Sequence, residues 1–132
     1  VVMHPNGKAY FFKGSKYYRY DFTRDAVDKV GTVAKDGWRG LVPNTEAAIL
    51  HPNGKAYFFK GSKYYRFNFE KDAVDKVGTI GKDGWLGLAP NIEAAVMHPS
   101  GNAYFFKGIN NYRFDFKRDR VDKVGTTAKS GP

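Results

Sequence analysis

The stretch NGKAYFFKGSKYYR occupies residues 6–19, and the same letters stand again at 53–66. An altered copy, SGNAYFFKGINNYR, covers 100–113, so each copy begins 47 residues after the one before. The register extends well beyond this stretch. His4, His51 and His98 share one phase, as do Asp28, Asp75 and Asp122, and Trp38 and Trp85 share another. Residues 1–47 and 48–94 agree at 35 positions and differ at 12, mostly by conservative exchanges such as Val2 for Ile49, Tyr20 for Phe67 and Arg24 for Lys71. No insertion or deletion interrupts the period. A repeat of roughly 20–50 residues is the signature of a solenoid, a propeller or an array of units that cannot bury their apolar faces alone.

Within one unit the signals are for strands. EAAIL, from Glu46, is a short apolar run that ends at His51-Pro52-Asn53-Gly54. Asn-Gly between two apolar runs marks a hairpin, because both residues tolerate positive φ. KAYFFKG at 55–61, a Gly-Ser turn and KYYRFNF at 63–69 follow. The polar EKDA turn then leads to VDKVGTI at 74–80. Rings suit pleated surfaces. In YFF consecutive side chains point to opposite faces, so both faces are apolar. A lone antiparallel sheet would show one polar face, whereas a propeller blade is covered on both. The reading is all-β, with three four-stranded blades at 1–47, 48–94 and 95–132. Phe11, Phe12, Tyr18, Phe22 and their copies are expected in the core, and Trp38 and Trp85 between blades. The best helical candidate is a single turn around 82–86.

Composition narrows the function. The 132-residue chain carries a formal charge of +9, which favours acidic partners. It has no cysteine, hence no disulfide frame, thiolate metal site or cysteine nucleophile. No run of about 18 apolar residues marks a membrane span. Nine Tyr and eleven Phe supply rings enough to build a core from short strands.

The run AAILHPNGKAYFFKGSKYYRFNFEKDAVDKVGTIGKDGWLGL resembles a hemopexin repeat. The marks are an Ala-Ala innermost strand, the YFFKG and YYR strands, the VDKVG outer strand and a Gly-Trp-x-Gly loop. The blade length and the PNG…GW run are more weakly similar to tachylectin-type lectin propellers. The hemopexin resemblance implies a four-bladed propeller, a binding module rather than an enzyme, and an extracellular setting. It also implies a central tunnel that takes calcium, sodium or chloride on backbone groups of the innermost strands. Here those groups belong to Glu46, Ala48, Glu93 and Ala95. Glu stands where the family has Asp, which weakens any side-chain ligand and leaves the backbone part intact. Animal members usually carry a disulfide between first and last blades, and this chain has no cysteine to make one.

His4, His51 and His98 each follow an innermost strand and precede Pro, or Pro and a turn. The plainer reading is a copied turn residue. The sharper one is a ligand site, since neutral imidazole suits transition metals and haem iron. Haem is the weaker of these readings, because the haem carrier uses a site between two propellers. Asp28, Asp75 and Asp122 lie one per blade on outer strands, and the reading is exposed strand residues, not a convergent acid–base pair. No Ser sits in a nucleophile elbow. Lys8, Lys13, Lys16 and Arg19 recur as Lys55, Lys60, Lys63 and Arg66. They read first as a solvated rim, then as a surface for an acidic protein, glycan or other polyanion, and last as a nucleic-acid site. The functions carried forward are a binding module with repeated surface sites, a lectin with shallow aromatic pockets between blades, and a haem or metal carrier. Three blades of a four-bladed family leave two ring-rich faces uncovered, so the expectation is self-association or a fourth blade outside this sequence.

Overall fold

The computed structural model describes residues 1–127, which form twelve strands in three antiparallel sheets, with no α-helix among the described residues. Blade 1 holds β1 (Val2–Met3), β2 (Ala9–Lys13), β3 (Lys16–Asp21) and β4 (Ala26–Thr32). Blade 2 holds β5 (Ala47–Leu50), β6 (Ala56–Lys60), β7 (Lys63–Asn68) and β8 (Ala73–Thr79). Blade 3 holds β9 (Ala94–Met97), β10 (Ala103–Lys107), β11 (Asn110–Asp115) and β12 (Arg120–Thr126). Each sheet is a meander in chain order. The expected strands are therefore present, and the residues around 82–86 form turns instead of a helical turn. The last five residues expected in blade 3 lie outside the described residues.

The local chemistry recurs with the sequence. Asn53-Gly54 turns β5 into β6, with Gly54 at a φ of 88°, a region open to glycine at little cost. A bulge interrupts the pairing of the third and fourth strands after Arg19, Arg66 and Arg113. Such a bulge re-aims the side chains on either side of it. Each connecting loop latches onto the outer strand of the next blade. The Val74 amide bonds the Arg39 carbonyl at 2.8 Å, and the Val121 amide bonds the Leu86 carbonyl at 2.8 Å.

The core lies between blades, not within them. Val2, Tyr10, Tyr17 and Trp38 of blade 1 and its loop pack on Phe58 and Phe67 of blade 2. The same pattern one repeat on joins Ile49, Tyr57, Phe59, Tyr64 and Trp85 to Phe105 and Phe114 of blade 3. Trp38 and Trp85 fill these seams as expected, 4.6 Å from Phe67 and 4.7 Å from Phe114 between ring centroids. Both hold left-handed backbone, with φ of 57° and 55°. For a bulky residue that conformation is strained and persists only where packing enforces it.

The expected core list needs correction. Phe58, Phe59 and Phe105 are fully buried, but Phe11 and Phe22 are exposed, while Phe12, Phe106, Tyr18, Tyr65 and Tyr112 are half-buried. Phe11 and Phe22 are exposed because their copies Phe58 and Phe69 are covered by the preceding blade, and among the described residues no blade precedes blade 1. Tyr17 and Tyr64, which the sequence reading passed over, are among the most buried side chains.

Candidate binding pockets between blades

Each seam ends in a small pocket, and the two pockets are built from equivalent residues. Their volumes are about 180 Å³ between blades 1 and 2 and about 140 Å³ between blades 2 and 3. Rings form the floor: Tyr10, Tyr17, Trp38 and Phe67 in the first, and Tyr57, Tyr64, Trp85 and Phe114 in the second. Polar groups form the rim. His4, Lys29 and Asp36 face Asp72 of the next blade, and His51, Lys76 and Asp83 face Asp119.

Glycines shape the floor. A Cβ on Gly78 would meet the Tyr64 ring at 2.6 Å, and one on Gly84 would meet its hydroxyl at 2.8 Å. The ring therefore lies flat across both glycines. Its hydroxyl donates to the Asp83 carbonyl at 2.7 Å, as the Tyr17 hydroxyl donates to the Asp36 carbonyl at 2.8 Å. The Asp36 and Asp83 carboxylates accept from the Thr32 and Thr79 amides at 2.8 and 2.9 Å, which fixes the loops that carry them. Lys29 and Lys76 extend over the Tyr17 and Tyr64 rings, 5.8 and 5.9 Å from the centroids. Asp72 and Asp119 hold left-handed backbone at the turns after β7 and β11, with φ of 54° and 57°. Aspartate tolerates that region better than most residues.

The three histidines do not converge. His4 packs edge-on against Phe69 of blade 2 at 4.7 Å, and His51 against Phe116 of blade 3 at 4.6 Å. Nδ1 of each accepts a backbone amide, from Asn6 at 3.0 Å and from Asn53 at 2.9 Å. The proton of the neutral ring then sits on Nε2. Burial pushes both imidazoles below their ordinary pKa, with Asp72 or Asp119 opposing the shift. His98 is exposed and, among the described residues, meets its own blade through Tyr104 at 5.3 Å and Ser100.

The outer-strand aspartates are not free surface residues. Asp28 pairs with Arg19 at 2.7 Å and Lys8 at 3.0 Å, Asp75 with Arg66 at 2.7 Å, and Asp122 with Arg113 at 2.8 Å. Their side chains are only 10–12% accessible, so they read as structural ties within each blade. These ties take up Lys8, Arg19 and Arg66 of the repeated basic set. Lys13, Lys16 and Lys63 remain exposed, and Lys60 donates to the Pro43 carbonyl at 2.8 Å.

The Hemopexin family model matches residues 1–42 and again 45–86. The chain belongs to the hemopexin family. Among solved structures, the hemopexin-fold protein CP4 from cow pea is 23% identical, with a TM-score of 0.74 over 91% of this chain and 63% of that one. A plant albumin from Cicer arietinum showing hemagglutination is 21% identical, with a TM-score of 0.72 over 91% of this chain and 62% of that one. A plant lectin with two metal binding sites from Cicer arietinum is 20% identical, with a TM-score of 0.74 over 92% of this chain and 63% of that one. At these identities the likeness shows the fold, and the chain spans less than two thirds of the length of each. No curated protein matches the chain in sequence.

For a hemopexin-family chain the axis is the other place to inspect. Val1, Met3, Ala48, Leu50, Ala95 and Met97 of the three innermost strands line an apolar cavity of about 370 Å³. The carboxylates of Glu46 and Glu93 are bonded to the Gly61 and Gly108 amides, at 2.9 and 2.7 Å. Among the described residues no group of three or more His, Cys, Asp or Glu is placed to hold a metal ion.

The sequence reading named the histidines but not Asp72 or Asp119, which complete each pocket from the following blade. The left-handed Asp in each EKDA-type turn was the available signal, and its contact across the seam spans 68 residues of chain.

Proposed function

We propose that the chain is a non-catalytic, multivalent binding module whose ligands are carbohydrates held in the two interblade pockets. The observation that carries this reading is the same pocket built twice from equivalent residues, each with rings below and His, Lys and Asp around the rim. Small-molecule sites combine apolar walls with a few placed polar groups. A sugar presents a C–H face that rests on ring faces, where the π quadrupole is negative, and hydroxyls that both donate and accept. Asp72 or Asp119 accepts from a hydroxyl, while Lys29 or Lys76 and the histidine Nε2 donate. The net charge of +9 draws acidic glycans to the surface. The hemagglutination named for the Cicer arietinum albumin supports the reading, because agglutination needs more than one site per particle. An extracellular setting is part of the proposal.

Screening on a glycan array followed by calorimetry tests this. The expected result is a stoichiometry near two, with Asp72→Asn and Asp119→Asn each removing one site. Binding that survives the double variant unchanged overturns the assignment to these pockets. Hemin gives no Soret shift if the histidines serve the pockets as described. For the axis, the proposed donors to calcium or sodium are main-chain carbonyls near Ala48 and Ala95, since hard cations take oxygen ligands and both nearby carboxylates are engaged. An ion found only on His51 and His98 refutes that placement.

A further inference from the structure

We infer that the sugar taken by the two interblade pockets carries a free, protonated amine, and that this ammonium rests on the Tyr17 or Tyr64 ring beside Asp72 or Asp119. The inference rests on the carbohydrate reading and adds to it the charge of the ligand.

Each pocket already sets an ammonium over that ring. Lys29 Nζ stands 5.8 Å from the Tyr17 ring centroid, and Lys76 Nζ 5.9 Å from that of Tyr64. A cation within about 6 Å of a ring centroid is attracted to the negative face of the ring. Both lysines are exposed side chains on the outer strands β4 and β8, so each can swing off the ring and leave its place to a ligand.

The local charge favours the exchange. Lys29 stands against Asp36 and Asp72, and Lys76 against Asp83 and Asp119, so each pocket holds one ammonium and two carboxylates. The histidine does not restore the balance, because burial favours its neutral form. Arg19 and Arg66, on the neighbouring strands, are paired with Asp28 and Asp75. Asp36 and Asp83 each commit a carboxylate oxygen to the Thr32 or Thr79 amide, which leaves Asp72 and Asp119 as the main acceptors.

A neutral sugar leaves this excess of negative charge unanswered, and a carboxylated or sulfated one adds to it. An amino sugar answers it, while its hydroxyls remain for the histidine Nε2. A charged donor also makes a stronger bond to a carboxylate than a hydroxyl does. The chain-wide charge of +9 acts on approach and is screened over about 8–10 Å. It repels a cation, so a preference for a cationic ligand can come only from the pocket.

Calorimetry of the full chain with short oligomers of glucosamine and of N-acetylglucosamine tests this, since acetylation removes the charge and keeps the hydroxyls. The measurement is made at matched ionic strength and about pH 6, on the acid side of an ordinary amine. The glucosamine form should fill both pockets and bind about tenfold more tightly, the worth of one charge-assisted bond. Asp72→Asn with Asp119→Asn should abolish that preference. Lys29→Gln with Lys76→Gln should tighten the glucosamine form by removing a competing cation, and melts should confirm that the variant is folded. Pocket-dependent binding that is equal for both forms, or confined to glycans without a free amine, overturns this inference and leaves the carbohydrate reading standing. Weaker glucosamine binding by the lysine variant overturns the placement of the amine on the tyrosine ring. If no glycan binds at all, the carbohydrate reading falls and this inference with it.

Discussion

Phe11 and Phe58 stand in the same run of letters, on equivalent strands, and meet opposite fates: one is exposed and the other sealed. Nothing within the repeat distinguishes them. The difference lies in what stands in front of each blade, because Phe58 faces the ring-lined back of blade 1 and no blade among the described residues stands in front of Phe11. Stability in such arrays divides into terms intrinsic to a unit and terms at each interface. Here the interface term dominates, since most of the buried rings belong to the seams.

Truncating the two rings measures that difference directly, and it is the largest effect expected. Phe58→Ala should cost about 3–5 kcal/mol, the range for removing a large aromatic from a core. Phe11→Ala should cost less than about 1 kcal/mol, as surface substitutions do. Denaturant melts of the two variants check this, at a concentration where the chain is monomeric. Equal losses would show that the Phe11 ring is buried within the chain itself.

A second comparison sets blade 2 against blade 3. Gly78 lies beneath the Tyr64 ring, and the equivalent Gly125 lies beneath Asn111, whose nearest atom would stand 3.2 Å from an added Cβ. Gly78→Ala should cost about 1–3 kcal/mol, because the buried ring is pinned by its bond to Asp83 and cannot move aside. Gly125→Ala should stay within about 0.5 kcal/mol, because the Asn111 side chain can rotate away. Thermal melts of both variants decide the point.

The sequence made the strands and their repeat legible, since ring alternation and Asn-Gly turns are local signals. It did not show which face of which blade is covered. YFF places rings on both sides, and only the neighbouring sheet selects between Phe11 and Phe58. The choice of Tyr18 over Tyr17 failed for a related reason. Tyr17 is buried because Gly31 and Gly37 open a slot for its ring, and Gly37 belongs to a loop 20 residues further on. The pockets were legible only in part: the histidines were visible as a copied feature, but their partners Asp72 and Asp119 arrive from the next blade.

Acid should separate the blades by smaller amounts. Asp28 is held at about 2 by hydrogen bonds from Arg19 first and Lys8 next, while Asp122 is lowered chiefly by Arg113 alone. An aspartate in an unfolded chain titrates near ~3.9. The folded state binds fewer protons, so this stabilisation is present above that value and lost as pH falls through about 2. Between pH 5 and 2 the Tm should fall, and Asp28→Asn should flatten that fall more than Asp122→Asn. Both groups are near the surface, so salt should weaken the effect.

The smallest expected effect concerns the two histidines that pack against a neighbouring blade. His4 and His51 lie against Phe69 and Phe116 of the following blade, and burial lowers both pKa values. A histidine with a lowered folded pKa favours the neutral ring in the native state. Its contribution is present above the ordinary value near ~6.5 and is lost as pH falls through the lower folded value. The Tm should therefore decline modestly between pH 7 and pH 5, before the aspartates begin to titrate. His51→Gln should reduce this slope, and so should His4→Gln. Ring-proton NMR titration checks the assignment directly, with two resonances turning over below the ordinary imidazole range. If His51 instead titrates above that range, the attraction of Asp119 outweighs burial, and the pocket is wetter and more strongly acidic than its geometry implies.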